Sequence, residues 1–148
     1  MSYIGYSMSE GAKRAYEEGK VPFSKLKPIT KQILRIITNG NPQEWASEWH
    51  HTSKYYNRTW FYDKNIDRII ETNIEKAKEL ILVVKKMMNE YISKKENIFD
   101  FDNEISFLRI MNTRGSTIEK DISYEMLTKY REIKRFFEKE IFLKTSNF

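Results

Sequence analysis

The two histidines of the chain are neighbours, His50 and His51, and they lie in its densest polar-aromatic run. That run extends from Trp49 to Tyr62 and holds two of the three Trp and three of the nine Tyr. Three kinds of chemistry could use it. A metal site would need ligands aimed at one point. Adjacent histidines on a helix point about 100° apart, and helical zinc pairs are spaced three or four residues apart instead, so neither Glu44 nor Glu48 completes a recognisable set. Acid–base catalysis could use a histidine that titrates near neutrality. But no Ser or Asp stands in a nucleophile context, and there is no Gly-rich phosphate loop. The sequence thus predicts no catalytic residue, no metal and no cofactor.

The third chemistry is recognition. Tyr, Trp, His, Asn, Arg and Lys in one short stretch suit an interface or a nucleic-acid surface, with rings stacking and cations meeting phosphate or carboxylate. His50, His51, Lys54, Tyr55 and Arg58 are the candidate binding residues. The plainer alternative makes the histidines structural caps, and the large aromatics Trp49, Tyr56, Phe61 and Tyr62 are expected in the core. Charge adds a second candidate surface. The chain carries a net +5, of which +4 falls in residues 1–62, none in 63–116 and +1 in 117–148. Lys25, Lys27, Lys31 and Arg35 form the supporting basic group, which either faces a polyanion or simply keeps a small protein solvated.

Periodicity indicates which elements must position these residues. A short helix is expected from Ser9 to Gly19, and a second from Pro28 to Thr38, stopped by Asn39-Gly40. Asn41-Pro42-Gln43-Glu44 reads as a capping box opening a third helix, on which Trp45 and Trp49 would share a face. From His50 to Tyr62 no clean period remains, which suggests an ordered loop or an irregular helix end. Helix, turn and helix over residues 29–62 outline a helix-turn-helix, the alternative being a phage DNA-binding regulator.

Ile66, Ile70, Asn73, Ala77, Leu80, Val84, Met87 and Tyr91 make a heptad stripe, widened by Ile74, Ile81 and Met88. It predicts a long helix over 64–95, with Asn73 a candidate register or homodimer determinant. Residues 97–113 are apolar without a deciding period. Ser116 and Glu119 then suggest a capping box for a last helix over 117–143, with Ile122, Met126, Tyr130, Ile133, Phe137 and Ile141 on one face. The expected fold is mainly α: a small N-terminal helical region, 1–62, packed on or beside two long antiparallel amphipathic helices, 63–148. The chain contains no Cys, which fits a reducing compartment. Its first ten residues lack a signal-peptide pattern, and its most apolar run, Leu80 to Val84, is far short of the roughly 18 residues that span a bilayer. The expectation is a cytoplasmic protein without a membrane partner.

Two stretches carry a resemblance. One is Gly5-Tyr6-Ser7-Met8-Ser9 with Ala15-Tyr16, Gly19, Pro22 and Ser24-Lys25. The other is Trp49-His50-His51-Thr52-Ser53-Lys54-Tyr55-Tyr56-Asn57 with Thr59, Phe61 and Tyr62. Together they resemble small proteins of phages and mobile elements of low-GC Gram-positive bacteria, a type that includes antagonists of host defence such as anti-CRISPR proteins. Trp60 departs from the pattern, standing where a polar or acidic residue would be expected. The resemblance implies a host-cell protein that inhibits a bacterial defence protein or nucleoprotein effector by binding, with DNA or RNA as further candidate partners. It implies no catalytic residues.

Overall fold

Pro28 starts the first described helix, where a missing N–H costs nothing, and the helix closes on a turn the sequence also announces. This arrangement comes from a computed structural model that describes residues 17–52, 57–93, 104–112 and 117–145. The chain is mainly α-helical. Helix α1 is Pro28–Ile37, α2 is Asn65–Thr72, α3 is Ile74–Ser93, α4 is Glu104–Met111 and α5 is Tyr124–Thr145. A small antiparallel sheet precedes α2, built from β1 (Lys20–Pro22), β2 (Ser47–Thr52) and β3 (Asn57–Asp63) in the order β1-β3-β2.

Helix α1 buries Thr30, Ile33, Leu34, Ile36 and Ile37 and packs against each of the other four helices. Its end is a Schellman turn. Gly40 N–H donates to the Arg35 carbonyl at 2.7 Å and Asn39 N–H to that of Ile36 at 3.2 Å. Both turn residues are left-handed, Asn39 at φ 53° and Gly40 at φ 83°, which is why this pair ends the helix.

The heptad stripe is the core side of α2 and α3. Ile66, Ile70, Ala77, Leu80, Val84, Met87 and Tyr91 are all buried, while Ile74, Ile81 and Met88 are half-buried beside them. One apolar cluster joins this stripe to Leu26 and α1, and to Phe107, Phe137 and Ile141, so both halves of the chain share a single core. Helices α3 and α5 pack antiparallel. Glu79 meets Lys129 at 3.7 Å, and Glu90 near the end of α3 accepts the N–H of Ser123 at 2.7 Å, just ahead of α5.

Three sequence expectations need correcting. The single helix over 64–95 is broken at Asn73 (φ −115°, ψ 36°). The cause is the side chain itself, which donates Nδ2 to the Ile69 carbonyl at 2.9 Å and so competes with the backbone ladder. Asn73 also lies 3.4 Å from Glu140 of α5, so it has an intramolecular partner.

Next, the last helix starts later than 117. Thr117–Lys120 is a 3-10 turn, and α5 begins at Tyr124 with Ser123 Oγ accepting the N–H of Met126 at 3.4 Å. The other member of the expected capping box, Ser116, lies outside the described residues.

The third correction replaces the helix expected to open at Asn41, and the loop or irregular helix end expected over His50 to Tyr62. Pro42–Trp45 is one 3-10 turn, Ala46 is extended (ψ 156°), and Ser47–Thr52 and Asn57–Asp63 are strands β2 and β3. Aromatic and β-branched residues prefer a pleated surface, and in this run that preference outweighs a helix-start signal that no apolar period follows. The helix-turn-helix outline therefore fails for want of its second helix.

The expected helix from Ser9 falls almost wholly outside the described residues. Of residues 97–113, those from 104 to 111 are helical. Among the described residues no helix is long and apolar enough to cross a membrane.

Candidate functional site

The polar-aromatic run becomes the β2–β3 ladder. His51 stands opposite Arg58, His50 opposite Thr59, and Thr52 opposite Asn57. Glu48 pairs with Trp60, so Trp49 is the extra residue of a bulge. The structure thus brings His50, His51 and Arg58 onto neighbouring rungs. Lys54 and Tyr55, in the connection between the strands, lie outside the described residues.

The base of the ladder is anchored by residues the sequence assigned to the core. Phe61 and Tyr62 are buried, and Trp60 is half-buried against the apolar cluster. The Tyr62 hydroxyl donates to the Pro42 carbonyl, which ties β3 to the turn entering β2. Burial also pushes the Tyr62 phenol well above its ordinary pKa, so it remains a donor. Phe23 packs on Tyr62 with ring centroids 5.8 Å apart.

Of the four supporting cations, Lys27, Lys31 and Arg35 follow at one-turn spacing from the N-cap of α1 along the helix. Lys25 is the exposed last residue of the Phe23–Lys25 turn, which packs against β3. Arg35 lies over the Phe23 ring, 5.3 Å from its centroid, and so reaches the base of the sheet from α1. Lys27 turns the other way. Its ammonium pairs with Glu71 and its backbone N–H donates to Asp67 at 3.1 Å, both on α2. Lys31 lies one helical turn from each of Lys27 and Arg35 and is half-buried. Helix α2 supplies local counter-charge to Lys27, and an aromatic ring holds Arg35.

No protein-family model, curated protein or solved structure matches this chain.

Function must therefore be argued from the site. Sequence reasoning missed Phe23, which connects Arg35 to Tyr62, and the acidic pair Asp67 and Glu71. The acidic pair had a signal, since carboxylates four apart on a helix share a face. Phe23 had none, being a single aromatic in a linker. Among the described residues, no three His, Asp or Glu side chains converge as metal ligands. What the arrangement offers is a strand ladder carrying donor-rich residue types, fixed to the core at one end and flanked there by Lys25 and Arg35.

Proposed function

We propose that this chain is a phage or mobile-element protein that inhibits a bacterial defence nucleoprotein of the CRISPR-effector type by binding to it. The observation that supports this reading is the ladder itself. His51 and Arg58 share one rung and His50 stands on the next, on a strand pair whose base residues Phe61 and Tyr62 are buried, and sites on strands are held more precisely than sites on loops. The resemblance of the Trp49–Asn57 motif to mobile-element accessory proteins points the same way. An inhibitor that mimics DNA is strongly acidic, whereas this chain is net positive, so its mode would be to mask or distort the effector.

The test has two parts. The tagged chain is used to capture partners from a CRISPR-bearing host, with and without nuclease, and effector cleavage is assayed in its presence. A defence protein retained after nuclease treatment, with cleavage suppressed, supports the proposal. Replacing His50, His51 and Arg58 together by Ala should abolish both capture and suppression. Capture that disappears with nuclease, with cleavage untouched, would sink the inhibitor reading in favour of direct nucleic-acid binding.

A further inference from the structure

Away from the hairpin's ladder, the outward side of α3 carries an apolar side chain that the core does not take up. Leu82 is 52 % exposed. Lys78 stands one helical turn before it, and Lys85 and Lys86 one turn after, so three ammonium groups surround one apolar side chain on a single helix face. Lys78 and Lys86 are about 12 Å apart along the helix axis, and exposed Asn89 continues the face beyond them.

Neighbouring charges of α3 are used within the fold. Glu79, at the margin of this face, meets Lys129 of α5 at 3.7 Å. Lys76 lies 4.1 Å from the centroid of the Phe136 ring, and Glu90 accepts the Ser123 N–H at 2.7 Å. Glu75, the remaining carboxylate of α3, stands two turns before Leu82 in the first turn of the helix, where it complements the positive helix end. Lys78, Lys85 and Lys86 differ. All three are exposed, and their ammonium groups meet no partner among the described residues.

An apolar centre with a charged rim is the anatomy of a protein-binding patch. Carboxylates complement the three lysines, and an apolar side chain laid between them covers Leu82. Other occupants satisfy only part of the face. A nucleic-acid strand would engage the lysines, but the face has no aromatic ring on which bases stack, and Leu82 offers nothing to a phosphate. A bilayer surface calls for a broad apolar stripe, not a single Leu. A second copy meeting it by the same face would set lysine against lysine. We propose that this face of α3 docks an acidic segment of a partner protein, with carboxylates on Lys78, Lys85 and Lys86 and an apolar side chain over Leu82. The face lies on a different element from the His50–Arg58 ladder, so its occupancy does not depend on the inhibitor reading.

The experiment follows the Leu82 methyl groups and the α3 backbone amides of the full-length protein by NMR. A Glu-rich peptide with one central Leu, the same peptide with Ala in that place, oligothymidylate and phosphatidylserine vesicles are titrated in turn, and the free protein is diluted alone. Saturable shifts around Leu82 are expected with the peptides, larger for the Leu peptide and reduced by added salt. Replacing Lys85 and Lys86 together by Gln should weaken binding of both peptides about five-fold or more. Leu82→Ala should weaken the Leu peptide about three-fold or more and leave the Ala peptide unchanged. Lys139→Gln, an exposed charge lost on α5, should stay within about two-fold. Every substituted side chain is exposed, so the variants should keep the wild-type Tm. Four results overturn the proposal: no saturable shift with either peptide, no preference between them, binding that ignores the Lys85 and Lys86 changes, or Leu82 shifts on dilution alone. Tighter binding of oligothymidylate or vesicles than of the peptides, indifferent to Leu82→Ala, overturns it in favour of a strand or a lipid surface.

Discussion

Thr30 and Tyr130 both carry hydroxyls that folding has removed from water. Thr30 is fully buried in α1 and Tyr130 nearly so in α5, and neither oxygen has a partner among the described residues. A buried hydroxyl left unpaired costs roughly 1–3 kcal/mol, so removing it should help. Thr30→Val and Tyr130→Phe are each expected to leave stability unchanged or raise it by about 1 kcal/mol, measured by urea denaturation. A loss above that size in either variant would show that the hydroxyl is used.

Tyr130 also sets an alkaline limit. Burial, with help from Glu138 and against Arg131, raises its phenol pKa, and burial alone raises that of Tyr62. A folded pKa above the unfolded value means that the native state holds the proton more tightly. The resulting stability is complete below the unfolded value of about 10 and declines as pH rises beyond it. Unfolding free energy should therefore fall above pH 10 in the wild type, and fall less steeply in Tyr130→Phe.

The turn at Gly40 gives a prediction of opposite sign. At φ 83° a side chain is strained, and Gly40→Ala should cost about 1–2 kcal/mol. The Arg109 guanidinium donates to the Gly40 carbonyl at 3.3 Å, so a drop in Tm should accompany altered Arg109 resonances.

At the scale of elements, the helices were readable wherever burial imposes a period. The stripe from Ile66 to Tyr91 and that from Ile122 to Ile141 are core almost residue for residue, because a helix packed on one side can only be apolar there. The break at Asn73 was not readable, since Asn at one stripe position fits an exposed end, a partner or a kink equally well. The hairpin was misread because Asn41-Pro42-Gln43-Glu44 carries a helix-start pattern and the decisive pairing partner, β1, is three residues long and lies about forty positions away. For the candidate site, types were legible and geometry was not. His50, His51 and Arg58 were picked out together, but their strand register depends on contacts that no local window contains.

Docking of α3 against α5 is open to a direct measurement. Glu90 supplies a charged acceptor to the Ser123 N–H at 2.7 Å, a bond of the stronger, charge-assisted kind. Glu90→Ala should cost about 1–2 kcal/mol, with hydrogen exchange speeding up first in the opening turn of α5. Lys27 and Glu71 make the contrast. Both are half-exposed, and a double-mutant cycle should return less than about 1 kcal/mol, shrinking with salt.

For the whole molecule, the central position of α1 matters most. It touches each of the other four described helices, and the apolar cluster runs through it without interruption. Heat or denaturant should therefore unfold helices and sheet in one transition, with circular dichroism and Trp fluorescence giving coincident curves. Two separated transitions would mean that residues 17–63 and 64–145 fold independently.

The bulge at Trp49 has a consequence for the crowded cell. With β3 in the middle of the sheet, β2 is a terminal strand, and among the described residues it pairs with β3 alone. A flat terminal strand would be a template on which further copies could pair. One surplus residue bends the strand and throws its hydrogen-bonding groups out of step, so an incoming straight strand finds no matching ladder. Trp49 would then serve as a gatekeeper of this edge, and deleting that single residue should raise aggregation, read as thioflavin fluorescence over time.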